Sequence, residues 1–514
     1  MRTTPAFSRA IVKMGAMHFH SKNEIDGQAP ILRPGGNCWR IERASRATVI
    51  VDAADYFRAV RSAMLRAERR IMLIGWDFDA RIDLLPGAPS PEAPNGLGDF
   101  IFWLVDRRPE LEIFLLRWDV GSLKMIYRGS TLLTLFRWMR HPRITLKLDG
   151  AHPPAASHHQ KIVVLDDCLA FCGGIDMTGD RWDTREHRDE EPRRVAPNGA
   201  PHPPWHDATT ALEGPAAAAL GELARDRWQA AGGRPLAPVT GRSDCWPQDL
   251  PAHFRDIDVG IARTRPEMQD LVGIHEIERL YLDLIASARN CIYAESQYFA
   301  SRRIAEAIAR RLAEPYGPEI VLINPLTAQG WLEPIAMDSA RARLFEALRR
   351  TDPHGRFRIY HPVTAQGQPI YVHAKVLVVD DQVLRVGSSN MNNRSMRLDT
   401  ECDVVIDAAQ PGNAAAEQSI LAVRDGLLAE HLGQTPEVVV QRIAETGSLI
   451  RAIESLRTAG RSLRPYETPD LTAVETWLAD NEVLDPEGPG EMFESLAKRG
   501  LFRRFGLPRL RRPQ

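Results

Sequence analysis

Two histidines keep the same company at two places in this chain. His159, Lys161 and Asp166 are spaced His-x-Lys-x-x-x-x-Asp, and His373, Lys375 and Asp380 repeat that spacing in the second half. Only seven of the 65 basic residues are lysine, and two of those seven fall in these motifs, so composition alone is a poor explanation. The chemistry that needs such a pair is phosphodiester cleavage. One imidazole attacks phosphorus while a second protonates the leaving oxygen, and an unperturbed pKa of about 6.5 lets one be neutral and the other charged. The ammonium groups of Lys161 and Lys375 supply compact charge for the nonbridging oxygens. Ser388 and Asn390, in GSSN, offer further donors to the same phosphate. The first half has Gly173, Gly174 and Asp176 instead, so an asymmetric site is expected.

Histidines in these roles need a carboxylate on the far ring nitrogen. Glu401, in LDTECDV, is expected to orient His373, and Asp207, in PWHDATT, to orient His159. Asp166 and Asp380 complete the two catalytic motifs but close their strands. They are expected to fix a loop by hydrogen bonding, with no chemical step of their own.

The elements around these residues are also duplicated. Both motifs open β-type apolar runs that end in glycine-containing turns, HHQKIVVLDDCLAFCGGID and VHAKVLVVDDQVLRVGSSN. Residues 56–79 read as an amphipathic helix running into a buried strand, and residues 277–299 read the same way, an internal repeat of whole domains. Further strands are expected at 111–119, 144–150, 319–325 and 357–362, with helices at 301–314 and 335–350. That alternation defines an α/β chain with a mostly parallel or mixed sheet. The expected division is an N-terminal extension (1–35), a first domain (36–230), a Pro- and Gly-rich linker (231–255), a second domain (256–430) and a helical C-terminal region (431–514). The closing KRGLFRRFGLPRLRR carries seven basic side chains, read as a solvated tail or a weak membrane-surface anchor.

Composition narrows the class. A length of 514 residues calls for more than one core. A net charge of −2 gives none of the basic footprint of a nucleic-acid binder. Six scattered cysteines suit a reducing compartment, with Cys168 and Cys172 as strand-packing residues. No secretory signal and no apolar run long enough to span a membrane are legible. A cytoplasmic protein is expected, touching the inner face of the cell membrane peripherally if at all.

The residues together resemble the phospholipase D superfamily. The resemblance rests on the paired motifs, GGID-x(4)-RWD after the first, GSSN-x-N-x-RS after the second, GWDFD at 75–79, ESQYF at 295–299 and PWHD at 204–207. It covers roughly residues 35–430 and looks closer to the large phospholipase D enzymes than to the cardiolipin synthases, which usually show Asn at Asp176. It implies two α/β domains related by a pseudo-two-fold axis, each a mixed β-sheet flanked by helices, with one active site at their interface. It also implies catalysis without metal or other cofactor, His159 as nucleophile and His373 as acid and base. A phospholipase D-type enzyme with bacterial architecture is therefore expected. It would convert a membrane phospholipid to phosphatidic acid through a phosphohistidine, or transfer the phosphatidyl group to an alcohol. A cardiolipin synthase is the second reading, a nuclease of the same chemistry the third, and a non-catalytic interaction protein the fourth. Internal duplication supplies both half-sites, so a monomer suffices.

Overall fold

The motif strands form because Ile162–Leu165 and Val376–Val379 are unbroken β-branched and leucine runs, a pattern suited to strands buried on both faces. In the computed structural model both are fully buried. The structure describes residues 29–88, 93–119, 137–138, 140–153, 156–241, 244–268, 271–329 and 337–468. The basic C-terminal tail and most of the N-terminal extension lie outside them.

The first half contains β1 (Arg40–Val51), α1 (Ala53–Met64), β2 (Arg70–Gly75), α2 (Leu97–Arg107), β3 (Glu112–Trp118), β4 (Ile144–Asp149), β5 (Ile162–Leu165), β6 (Leu169–Gly173), β7 (Trp205–His206), β8 (Ala208–Glu213) and α3 (Pro215–Ala230). The second contains β9 (Phe254–Arg265), β10 (Ile274–His275), α4 (Glu276–Ser287), β11 (Cys291–Glu295), α5 (Arg302–Ala313), β12 (Glu319–Ile323), α6 (Ser339–Arg350), β13 (Phe357–Val363), β14 (Tyr371–Val372), β15 (Val376–Val379), β16 (Val383–Gly387) and β17 (Glu401–Asp407). Helices α7 (Ala416–Leu432), α8 (Pro436–Thr446) and α9 (Leu449–Leu456) and strand β18 (Ser462–Pro465) follow.

The halves meet strand to strand. β1 and β9 pair antiparallel at the centre of one continuous mixed sheet. From β1 the order runs outward β8-β6-β5-β2-β3-β4; from β9 it runs β17-β16-β15-β11-β12-β13. Each arm is antiparallel as far as β2 or β11 and parallel beyond, so a pseudo-two-fold axis passes between β1 and β9. The two arms share one inner core, in which Met72, Ile74, Ile162 and Val164 join Tyr293, Val376, Val378 and Val386. The outer faces are covered separately, by α1 and α2 on one arm and by α4 and α5 on the other.

The C-terminal region departs from the all-helical expectation. β18 adds antiparallel to β13 and covers an edge that would otherwise present unpaired backbone groups. The expected boundary at residue 430 falls inside α7, whose Ile420, Leu427 and Leu428 belong to the shared core.

The motif aspartates show how each half holds its strands. Asp166 and Asp380 adopt left-handed backbone (φ 49° and 52°) directly after β5 and β15. Asp166 accepts from the N–H groups of Glu68, Arg69 and Arg70 at 2.6–2.8 Å. Asp380 accepts from those of Arg289, Asn290 and Cys291 at 2.7–2.8 Å. Both therefore tie the helix-to-strand turn to the motif strand, away from the imidazoles. Asp380→Ala removes the acceptor shared by three partly buried N–H groups and should cost about 3 kcal/mol. Urea unfolding measures this, and a loss below about 1 kcal/mol would contradict the assigned role.

Candidate active site

Alternation along the approach to β5 puts His159 and Lys161 on one face and Gln160 on the other. The same holds for His373 and Lys375 before β15. Each approach segment is gripped by the opposite half. The His159 N–H donates to Thr400 O at 3.0 Å, and β14 runs parallel to β7 until the His373 N–H donates to His206 O at 2.8 Å. The carboxylates Glu401 and Asp207 sit one residue beyond those two carbonyls.

The orienting pairs are thus crossed relative to expectation. His159 Nδ1 lies 3.0 Å from both oxygens of Glu401, and His373 Nδ1 lies 2.7 Å from Asp207 Oδ2. The assignment of Glu401 to His373 and Asp207 to His159 is corrected. Its flaw was to assume that a carboxylate serves the motif nearest in sequence, whereas the β1–β9 junction brings each one to the other half. Gly174 makes room for one of these acids, since a Cβ there would run into Asp207 Oδ1. Gly174→Ala, which touches no substrate, is expected to lower kcat by about 10²-fold through displacement of Asp207. Unchanged turnover in the folded variant would refute that coupling.

A second correction concerns Ser388. Its hydroxyl donates to Glu401 Oε2 at 2.5 Å and accepts from the Cys402 N–H at 3.0 Å, so it braces the carboxylate and is not free for phosphate. Ser395 donates to Glu401 Oε1 at 2.7 Å. Asn390 does reach the site. It lines a cavity of about 1060 Å³ together with His159, His373, Asp176, Gln297 and Trp205. Lys161 Nζ donates to His159 O at 2.8 Å and pairs with Asp176 Oδ2 at 3.2 Å. Lys375 Nζ meets Gln297 Oε1 at 3.4 Å and donates to His373 O.

Three contributors were overlooked in the sequence. Gln297 contacts Lys375 and donates to the Tyr371 hydroxyl at 2.9 Å. The Trp205 ring lies 5.3 Å from the His373 ring, with the Arg181 guanidinium 4.1 Å over its face. Ser395 is the third. The signal was present for all of them, since ESQYF, PWHD and the RS that follows GSSN hold Gln297, Trp205 and Ser395.

Burial sets the electrostatics. It holds the His159 imidazole well below its usual range, helped by Lys161 and Lys375. It lowers His373 likewise, helped by Lys375 and Arg181. It draws Lys375 down to about 7 and pushes Glu401 up to about 8 against the donors that hold it. Both imidazoles are therefore neutral before substrate arrives, and an incoming phosphate anion favours protonation of one of them.

Behind Asp207 lies a buried ionic cluster. His206 Nε2 and His431 Nε2 each lie 2.9 Å from Glu295, and His187 bridges Asp183 and Glu430 at 3.0 and 3.1 Å. Asp52, His187, His206 and Glu430 each offer a ligand atom within 4.8 Å of the others, a set that could hold a metal ion. These atoms belong to neither motif.

Comparison with known proteins shows the family and the fold. The family model described as phospholipase D matches residues 63–244 and 346–476, and the chain belongs to that family. Phospholipase D alpha 1 of Nicotiana tabacum is 25% identical over 56% of this chain and 50% of its own length. The Zea mays protein of the same name is 26% identical over 74% of this chain and 65% of its own. The chain thus spans about half to two thirds of these curated relatives. In fold it is similar to the phosphatidylserine synthase of Haemophilus influenzae Rd KW20, with a TM-score of 0.51, 14% identity, and coverage of 82% of this chain and 98% of that one.

Proposed function

We propose that the protein cleaves the phosphodiester of membrane phospholipids in the manner of a phospholipase D, through a covalent phosphohistidine. The observation that carries this reading is the pair of buried imidazoles lining one cavity, each anchored at Nδ1 by a carboxylate so that Nε2 is left for chemistry. His159 Nε2 forms a bond to phosphorus as the bond to the head-group oxygen breaks, and His373 Nε2 gives its proton to that oxygen. Neutral His373 then takes a proton from water, whose oxygen bonds to phosphorus as the P–N bond breaks. Phosphatidic acid leaves and both histidines are regenerated. An alcohol in place of water yields a phosphatidyl alcohol by the same steps.

Among the described residues no helix is long and apolar enough to cross a membrane. Substrate is taken from a membrane surface by peripheral contact, and Lys161, Lys375 and Asn390 hold the phosphoryl oxygens. The test is incubation with phosphatidylcholine or phosphatidylglycerol vesicles, with and without a primary alcohol, and mass spectrometry of the products. Phosphatidic acid diverted to phosphatidyl alcohol supports the reading, cardiolipin from phosphatidylglycerol would favour a transferase, and no lipid product would sink both.

The nucleophile must be neutral, so its contribution is fully present above the His159 pKa and is lost as pH falls through it. That pKa is depressed by burial and two lysines, and the acid limb of kcat/KM is expected below pH about 6.5. A pH–rate profile with its acid limb above that value would contradict the assignment.

A further inference from the structure

The pseudo-two-fold symmetry is broken at one charge. In the first half Lys161 is paired with Asp176 at 3.2 Å, both side chains buried, and Asp176 Oδ1 also accepts from the Trp76 N–H at 3.1 Å. The symmetry-related position, three residues past the glycine that ends the strand (Gly173 or Gly387), holds the neutral Asn390. Its Oδ1 is buried with no hydrogen-bond partner among the described residues, and the residue lines the cavity. Lys375 makes no ion pair among the described residues; its Nζ faces the amide oxygen of Gln297 and the carbonyl of His373. One wall therefore presents a balanced lysine–aspartate pair, the other an ammonium among neutral amides.

Resting on the reading of this cavity as a phosphoryl site, we propose that Asp176 sets the charge the site accepts, favouring monoanionic phosphodiesters over dianionic monoesters. A diester brings one negative charge, which Lys375 meets. A monoester loses its second proton with a pKa of about 6 and above neutrality brings two. Of the two motif lysines the second charge would fall to Lys161, whose field Asp176 already cancels, leaving Arg181 over Trp205 as the remaining cation on that wall. Ionised phosphatidic acid, the monoester product, is then held less firmly than the diester it came from. Asp176 acts here as a specificity residue, with no part in bond making.

The inference is tested by ³¹P NMR titration at pH 7 with dimethyl phosphate, a monoanion, and methyl phosphate, mainly a dianion there, with the bound anion holding Lys375 protonated. Wild type should bind methyl phosphate no more tightly than dimethyl phosphate. Asp176→Asn should tighten methyl phosphate by about tenfold relative to dimethyl phosphate. The substitution copies the amide already present at position 390, and thermal unfolding checks that it folds. Should it not fold, Asn390→Asp carries the test and must weaken methyl phosphate more than dimethyl phosphate. A preference ratio unmoved in the folded variant, or a wild type that turns over vesicles yet prefers methyl phosphate or binds neither probe, overturns the inference alone. Absence of both probe binding and lipid turnover overturns the functional reading with it.

Discussion

His373→Asn is expected to trap the reaction halfway when the leaving group needs no proton. With a phosphatidyl p-nitrophenyl ester, nitrophenolate departs unaided, so His159 can still attack. Water cannot then be deprotonated, and the adduct persists. The variant should release about one equivalent of nitrophenolate in a burst and carry the phosphatidyl mass on a peptide containing His159. On an ordinary choline ester its turnover should fall at least about 10⁴-fold. His159→Asn should show neither burst nor adduct. Steady turnover of the activated ester by His373→Asn, or an adduct on another residue, would refute the division of roles.

The second large effect distinguishes the crossed wiring from a parallel one. Glu401 faces His159 and Asp207 faces His373, so the two carboxylates should fail at different steps. Glu401→Gln should slow the nitrophenolate burst by about 10³-fold, the order expected when an orienting carboxylate becomes an amide. Asp207→Asn should leave the burst within about tenfold of wild type and slow breakdown of the adduct by about 10³-fold. Rapid-mixing measurement of burst and steady state reads both numbers. If Asp207→Asn abolishes the burst while Glu401→Gln spares it, the carboxylate assignment is wrong.

What could be read from sequence was what is local. The His-x-Lys spacing on an apolar strand and the doubled helix–strand unit needed only periodicity of two and 3.6 residues, and both reappear in β5, β15, α1 and α4. The carboxylates were found by type, but their partners were not, because hydrogen bonds spanning 242 and 166 residues depend on how the halves dock. Ser388 was misread for a related reason: a hydroxyl beside a catalytic motif looks like a phosphate donor until Glu401 is seen to need it. β18 carries only four residues, SLRP, and earns its strand conformation from the open edge of β13 rather than from its own composition.

Since each histidine borrows its anchor from the other half, a half-made chain completes neither pair. When residues through α3 have emerged, His159 is present but Glu401 has not yet been made, and the cavity has one wall. Both imidazoles are anchored only once β17 closes against β9. The paired site is thereby a property of the joined halves, and neither half holds it alone.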